Sequence, residues 1–178
     1  MKIGIFCSAN AHIDPDFFLQ TEELARWAAS EGHTIVFGGV NMGLMECVAK
    51  ATKEAGGHTI GVVPSIVEET GRTSRYNDEI ITCRNLSERK QLMLDESDVF
   101  IALPGGVGTL DEVFTIAASY TIGYHQKRVI LYNMKGFWNS VIMLLDDLQS
   151  KGVMRGQWRD YIQVASSLKE LKNLVALG

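Results

Sequence analysis

Short apolar and β-branched runs alternate with segments of helical periodicity, and this alternation constrains the fold more than any other feature of the 178-residue sequence. The runs occupy residues 3–7, 34–37, 59–63, 79–82, 99–103, 129–132 and, more weakly, 161–165. Parallel strands joined by crossover helices produce this order. We therefore predict an α/β fold, a Rossmann-like doubly wound parallel sheet, in a single domain over residues 1–178.

Two of the intervening segments carry a clear apolar face. The residues that line these faces are Phe17, Thr21, Leu24, Ala25 and Ala28 in the first segment, and Trp138, Val141, Ile142, Leu145 and Leu148 in the later one. Spacing of three and four residues is typical of helices that pack on a core. Residues 68–78 are polar and flanked by acids, which predicts a surface loop.

Composition and charge exclude several classes of function. The chain is 46% apolar and 21% charged, with a net charge of −4, so it lacks the basic excess of a nucleic-acid-binding protein. No apolar stretch approaches the roughly 18 residues of a membrane span, and the first residues lack the pattern of a secretion signal. Cys7, Cys47 and Cys83 are odd in number and widely spaced, which argues against disulfides. We expect a cytoplasmic protein with no nucleic-acid or membrane partner.

Ligands of doubly wound sheets bind beyond the carboxyl ends of the strands, where the strand order reverses. Residues 7–10 (Cys-Ser-Ala-Asn) follow the first strand, and 38–45 (Gly-Gly-Val-Asn-Met-Gly-Leu-Met) follow the second. The turn after the first strand lacks the Gly-x-Gly-x-x-Gly pattern of nicotinamide-binding domains, and a Walker pattern is also missing. The four histidines (His12, His33, His58 and His125) show no metal-ligand spacing, so no metal is predicted.

Residues 104–112 (Pro-Gly-Gly-Val-Gly-Thr-Leu-Asp-Glu) follow the fifth run. Gly105, Gly106 and Gly108 allow positive φ and close approach of a ligand, while Thr109 opens a helix whose first amides lack partners, as a phosphate cradle requires. Thr-x-x-Glu is equally a capping box, in which Glu112 would only cap the helix. The loop alone leaves both interpretations open.

A second element favours the phosphate cradle. Arg89 and Lys90 stand near the start of the helix that precedes the fifth strand, where cations oppose the helix dipole. That helix start faces the carboxyl ends of the strands, so both cations would lie beside the glycine loop. The alternative is that they are exposed charges whose small cost is tolerated.

Arg89-Lys90, the 104–112 motif and the 38–45 motif together resemble the Lonely Guy (LOG) family of cytokinin riboside 5′-monophosphate phosphoribohydrolases. The similarity runs from Lys2 to about residue 155. It implies a Rossmann-like fold, a homodimer, no cofactor, and hydrolysis of the N-glycosidic bond of an adenosine-type nucleoside monophosphate.

The resemblance also implies roles for individual residues. Arg89 and Glu112 match the catalytic pair, with Glu112 stabilising the positive charge that develops on the ribose. The residues assigned to substrate or phosphate binding are Lys90, Gly105, Gly106, Val107, Gly108, Thr109, Asp111, Gly38, Gly39, Ser8 and Glu68. Apolar surface around Phe137, Trp138 and the following helix fits the expected dimer.

Departures from the family pattern leave the preferred base open. Val40 and Glu46 stand where the family usually has glycine, and residues 118–121 (Ala-Ser-Tyr-Thr) replace a common Thr-Trp-x-Gln. Two other functions stay open as alternatives. One is a molybdenum-cofactor carrier of similar fold, which would have no use for Glu112 beside an anion. The other is the older lysine decarboxylase label, for which Lys90 would have to carry pyridoxal phosphate although the chain lacks a substrate domain.

Overall fold

A computed structural model describes residues 1–177. Seven strands form one sheet, and every pair of neighbouring strands in it is parallel. The strands are β1 (Lys2–Phe6), β2 (Thr34–Phe37), β3 (His58–Pro64), β4 (Glu79–Cys83), β5 (Val99–Ala102), β6 (Val129–Tyr132) and β7 (Ile162–Ala165). All seven predicted strands are confirmed, with shifts of one residue at several ends. β5 and β6 are buried throughout, as β-branched runs covered on both faces should be.

Helices cover both faces of this sheet. They are α1 (Pro15–Ser30), α2 (Gly43–Glu54), α3 (Ser65–Glu69), α4 (Leu86–Glu96), α5 (Val107–Thr121), α6 (Asn139–Ser150) and α7 (Leu168–Ala176). One apolar core lies between the sheet and α1, α2 and α7, and the other lies between the sheet and α4, α5 and α6. The predicted doubly wound α/β fold is therefore confirmed.

The strand order is β4-β3-β2-β1-β5-β6-β7. β1 pairs with β2 on one side and with β5 on the other, so the order reverses between β1 and β5. In sheets of this kind a crevice opens at that point, beyond the carboxyl ends of the strands.

The predicted apolar faces differ in how deeply they are buried. Thr21, Leu24, Ala25 and Ala28 of α1 are fully buried, as expected. In α6 only Leu145 is fully buried. Trp138 precedes that helix and is 1% exposed, with its indole N–H donating to the Ala102 carbonyl at 3.1 Å. The expectation that Trp138 adds to an apolar surface is therefore wrong, because it lies beneath β5.

Residues 68–78 are only in part the predicted surface loop. Glu68 and Glu69 end α3, and Ser74 is buried. The Gly39 carbonyl accepts hydrogen bonds from the Ser74 amide at 2.8 Å and from the Asn77 side chain at 3.3 Å. The segment thus packs over the turn that follows β2, where its backbone groups find partners.

Candidate active site

The three motifs at the carboxyl ends of β1, β2 and β5 meet at the point where the strand order reverses. The Ser8 amide donates to the Pro104 carbonyl at 3.0 Å, and the Leu44 amide donates to the Ser8 carbonyl at 2.9 Å. Ser8 therefore joins the glycine loop to the start of α2, and all three segments border the point where such sheets open a crevice.

Arg89 and Glu112 form a buried ion pair beside this crevice. Arg89 Nη1 donates to Glu112 Oε1 at 2.7 Å, and the two residues are 9% and 5% exposed. Arg89 Nε donates to the Val62 carbonyl at 3.2 Å, which ties the guanidinium to the end of β3. Two charges 23 positions apart in sequence are thus held together by α4, α5 and β3.

Gly38 makes room for the arginine. A Cβ atom at this position would lie 2.1 Å from Arg89 Nη2 and 3.0 Å from Met45 Sδ, so no side chain fits there while the guanidinium is in place. Gly39 instead has a φ of +69°, which favours glycine on conformational grounds. The two glycines are therefore required for different reasons, and only Gly38 lies against the Arg89 side chain.

The surroundings of the pair set the charge of Glu112. Burial raises the pKa of its carboxyl above the ordinary value, and the Arg89 guanidinium offsets part of that rise. Cys7, buried at the end of β1, has its thiol pKa raised well above the ordinary value, chiefly by burial and further by the charge of Glu112. The site can thus hold an ionised carboxylate, poor in water and fixed by one cation, which suits the stabilisation of a developing positive charge.

The glycine loop is built differently from the sequence prediction. α5 begins at Val107 with Gly106 as its N-cap residue, and Gly105, Gly106 and Gly108 all have φ outside the positive range. The expectation of positive φ in this loop is wrong. A Cβ atom at Gly105 would lie 2.1 Å from Thr109 Oγ1, so this glycine makes room for the buried threonine side chain.

Gly106 and Gly108 leave space of another kind. Among residues 1–177, a Cβ atom at either position would meet no atom within 4 Å apart from its chain neighbours and the adjacent helix backbone. The first-turn amides of Val107, Gly108 and Thr109 have no carbonyl partner within α5. The loop therefore presents donors and the positive end of a helix dipole to an open surface, an arrangement that suits an anion.

The capping-box interpretation of Glu112 is wrong. Thr109 is the third residue of α5 and Glu112 the sixth, because the helix begins earlier than the sequence suggested. The Glu112 carboxylate is turned to Arg89 instead of the helix end. Glu112 therefore forms an ion pair with Arg89 of another helix in place of a capping hydrogen bond within α5.

Lys90 lies next to the Arg89–Glu112 pair but has its own partners. Its Nζ lies 2.9 and 2.8 Å from the two carboxylate oxygens of Asp111 and 3.1 Å from Thr115 Oγ1. Lys90 and Asp111 thus lie together beside the crevice. Their assignment to phosphate binding stays a prediction.

Glu68 lies at the same edge of the sheet, further from the pair. Its carboxylate accepts a hydrogen bond from Thr82 Oγ1 at 2.9 Å near the end of β4, and its side chain is exposed. The structure therefore brings Ser8, Gly38, Arg89 and Glu112 together around the glycine loop, and leaves Glu68 at the rim.

Two contributors were missed in the sequence. The Val62 carbonyl orients Arg89, and a backbone carbonyl carries no residue-specific pattern that could reveal it. Asn77 braces the turn at Gly39, and an asparagine in a polar loop is a weak indication of such a role.

Residues 1–177 contain no helix long and apolar enough to span a membrane. In the same range, no group of three or more His, Cys, Asp and Glu side chains is arranged to hold a metal ion.

Known proteins resemble the chain over almost all of its length. Cytokinin riboside 5′-monophosphate phosphoribohydrolase LOG5 of Arabidopsis thaliana is 32% identical over 96% of this chain and 75% of its own length. The corresponding LOG1 protein of the same plant is 33% identical over 96% of this chain and 80% of its own length.

Solved structures share the fold. The Moco carrier protein of Chlamydomonas reinhardtii superposes with a TM-score of 0.76 at 24% identity, covering 99% of this chain and 95% of that one. The molybdenum cofactor binding protein of Rippkaea orientalis has a TM-score of 0.72 at 27% identity, with the same coverage.

The model of the family described as "Possible lysine decarboxylase" matches residues 45–175, which include Arg89, the glycine loop and Glu112. The relatives named above extend the match to 96% of the chain. The chain belongs to this family, the LOG family.

Proposed function

We propose that the protein hydrolyses the N-glycosidic bond of an adenosine-type nucleoside 5′-monophosphate, releasing the free base and ribose 5-phosphate. The observation that carries the proposal is the buried Arg89–Glu112 pair, which lies beside an open glycine loop at the start of α5. The relatives named as cytokinin riboside 5′-monophosphate phosphoribohydrolases support the same reaction class.

Glu112 would act on the ribose. As the bond between the base and the anomeric carbon breaks, its electron pair leaves with the base and positive charge builds on the sugar ring. A carboxylate held close to that ring stabilises the charge and can accept a proton from the attacking water. Water then supplies the new C–O bond, and the departing base takes up a proton.

Arg89 would keep Glu112 ready for this role. Its guanidinium favours the ionised carboxyl against the effect of burial and fixes one carboxylate oxygen at 2.7 Å. Because the Val62 carbonyl and the space at Gly38 hold the guanidinium, the pair is organised before substrate binds. Preorganised charge of this kind is an effective form of transition-state stabilisation.

The 5′-phosphate would bind at the glycine loop. The amides of Gly106, Val107, Gly108 and Thr109 can donate to its oxygens, and the helix dipole adds attraction. A bare nucleoside would gain nothing from these donors, so the loop gives selectivity for monophosphates.

Base preference is the finer part of the proposal. Cytokinin riboside monophosphates and AMP share the adenosine monophosphate framework, so the phosphate and ribose groups would serve both. Residues 118–121, Val40 and Glu46 differ from the usual family pattern, and the first of these segments lies on α5, which leaves the loop.

A panel of nucleoside monophosphates tests the proposal, with chromatography for released base. We expect cleavage of AMP or an N6-substituted AMP, and almost none of the matching nucleosides. Equal rates on nucleoside and nucleotide would show that the glycine loop does not select for a phosphate. A failure to release base from any monophosphate would overturn the proposal.

A cofactor carrier is the second candidate, favoured by the similarity to the molybdenum cofactor binding protein at 27% identity. A carrier would bind a phosphorylated ligand at the glycine loop without cleaving it. Glu112 counts against it, because a carrier that leaves its ligand intact has no developing positive charge for this buried carboxylate to stabilise. Tight binding of a pterin phosphate together with intact nucleotides in the panel would favour the carrier.

The family description "Possible lysine decarboxylase" suggests a third reaction, which needs a lysine Schiff base with pyridoxal phosphate. Lys90, the lysine of the motif, has its ammonium between Asp111 and Thr115. An absorbance scan after incubation with pyridoxal phosphate would reveal a Schiff base, and we expect none.

The working form would be a homodimer. An apolar groove of about 350 Å³ runs between α5 and α6, and its wall includes Phe114, Leu148 and Val153. Met143 and Leu144 of α6 are also exposed. A second copy of the chain would cover Met143, Leu144 and the apolar wall of the groove, since contiguous apolar patches on a folded protein mark contact sites.

A further inference from the structure

A polar cavity of about 580 Å³ lies far from the catalytic pair, at the opposite edge of the sheet. It opens next to the first residues of β6 and β7 and at the C-terminal end of α5, whereas the crevice lies at the carboxyl ends of the strands. The side chains that line it are Tyr120, Thr121, Gln126, Arg128, Arg155, Arg159, Asp160, Tyr161 and Gln163. Its volume is within the range of small-molecule sites, about 300–1,000 Å³.

Three arginines and a single aspartate give this cavity a positive charge in a protein whose net charge is −4. Arg128 donates to the Leu177 carbonyl at 2.7 Å, and Arg155 to the Thr121 carbonyl at 3.4 Å. Within residues 1–177 neither of these two has a carboxylate partner. Arg159 stacks on the Trp158 ring and lies 3.3 Å from Asp146.

Each guanidinium therefore uses a small part of its hydrogen-bonding capacity. An arginine has five N–H donors, and a planar fork of two matches the oxygens of a phosphate. Two arginines held by one carbonyl each leave most of these donors available to a ligand.

The rest of the wall suits the organic part of a ligand. The Tyr120 and Tyr161 rings lie 5.6 Å apart, and the burial of Tyr161 holds the pair in place, while the partly exposed Tyr120 supplies the accessible aromatic surface. Gln163 Oε1 is buried and has no hydrogen-bond partner in residues 1–177. The residue as a whole is partly exposed at the cavity, so a rotation of its amide brings this oxygen to a polar group bound there.

From this arrangement we infer a second ligand site, at which Arg128 and Arg155 bind the phosphate of a small phosphorylated molecule. The site is separate from the nucleotide crevice and does not depend on the reaction proposed for it. The ligand class is an organic phosphate, with the tyrosines and glutamines facing its non-phosphate part.

Calorimetric titration with inorganic pyrophosphate tests the site. All titrations use the full chain carrying Gly106→Glu, because the added carboxylate projects into the open loop and repels anions from the crevice. We expect binding in this background, and a loss of affinity of about tenfold or more after Arg128→Gln with Arg155→Gln. The matched control is Arg26→Gln with Lys50→Gln, which removes the same charge from exposed positions on α1 and α2 and should leave binding unchanged.

Two results would overturn the inference. One is an equal loss of affinity for pyrophosphate in the two double variants, which would mean that only the net charge of the protein affects binding. The other is a Kd weaker than about 10 mM before any arginine is removed. If the double variant melts early, Arg155→Gln alone decides, since its exposed side chain makes one long hydrogen bond and should still weaken binding several-fold.

Nucleotide cleavage by the unaltered protein is measured separately. If the protein cleaves no nucleotide, the proposed function fails and the titration still tests the second site. If the titration shows no binding, the second site fails and the cleavage assay still tests the proposed function. The Arg128→Gln and Arg155→Gln substitutions alone should leave cleavage intact.

Discussion

Lys90 pairs with Asp111 one residue along each helix from Arg89 and Glu112, so two ion pairs join α4 to α5. The ammonium of Lys90 has three N–H donors, and the two Asp111 oxygens and the Thr115 hydroxyl provide three acceptors. Its hydrogen-bonding capacity is thus filled within the protein.

This saturation makes the effect of Lys90→Met predictable. We expect KM for the nucleotide to rise less than about threefold, with a loss of at most about 1 kcal/mol in unfolding free energy, because a partly exposed ion pair contributes little. A direct phosphate contact would cost about tenfold or more. Steady-state kinetics and thermal melting measure both, with Lys151→Met in the exposed Lys151–Asp147 pair as control. A large rise in KM would show that Lys90 leaves Asp111 when phosphate binds.

Glu112→Gln separates a catalytic carboxylate from a structural one. Glutamine keeps the shape but removes the charge, so turnover should fall by about 10²–10⁴-fold while KM changes little. The control is Glu54→Gln, at an exposed carboxylate of α2 that pairs with Lys50. A folded Glu112→Gln protein with near-normal turnover would contradict the mechanism and strengthen the carrier alternative.

The pH dependence follows from the raised pKa of Glu112. Turnover needs the ionised form, so the acid limb of kcat/KM, which reports the ligand-free protein, should lie above the ordinary glutamate value of 4.5. The folded protein also holds this proton to a higher pH than the unfolded chain does. The contribution of Glu112 to stability therefore declines as pH rises from 4.5 through the raised value.

Profiles of kcat/KM and of melting temperature against pH measure both effects. In Glu112→Gln the residual kcat/KM should lose that acid limb, and the change in stability over the same window should flatten. An acid limb at or below the ordinary value would mean that Arg89 outweighs burial.

The glycine loop can be dissected by alanine substitution. Gly106→Ala and Gly108→Ala add a methyl where, among residues 1–177, no atom lies within 4 Å apart from the chain neighbours and the adjacent helix backbone, so the fold should be unaffected. Both should raise KM for the monophosphate, because the methyl enters the space that the phosphate would occupy.

Gly105→Ala is the contrasting variant, since its Cβ atom would lie 2.1 Å from Thr109 Oγ1 and should lower the melting temperature. The same kinetics and melts on all three variants decide the matter. An unchanged KM in Gly106→Ala and Gly108→Ala would show that the phosphate does not bind at this loop.

Assembly should depend on the outer face of α6. Met143 is 71% exposed there, and Met143→Glu should convert a dimer to a monomer by placing a charge in the apolar contact. Leu19→Glu, at a 59% exposed position on α1, is the matched control. Light scattering at micromolar concentration gives the mass, and a monomeric unaltered protein would contradict the proposed dimer.

The sequence predicts the sheet well because its strands are short, β-branched and buried on both faces, as in the run at Val99–Ala102. The glycine loop and the cations of α4 were also identified as a group, since their residue types are unusual at a strand end and a helix start; their role in phosphate binding stays a prediction. Boundaries were less accurate: one misplaced helix start made Thr109 and Glu112 look like a capping box.

Contacts between residues far apart in the chain could not be predicted from the sequence. Trp138 lies on a predicted apolar helix face, but only the course of the chain shows that its indole lies under Ala102. In the same way, the Val62 carbonyl and the space at Gly38 act on Arg89 through tertiary geometry that local patterns do not carry.

The guanidinium of Arg89 fills the volume that a side chain at position 38 would need. Position 38 must therefore be glycine as long as position 89 is arginine, although the turn and the helix are far apart in the chain. A lineage that gave up the arginine would be free to replace the glycine, whereas one that replaced the glycine first would already have displaced the arginine. We therefore expect a side chain at position 38 to occur only in chains that lack the arginine at position 89.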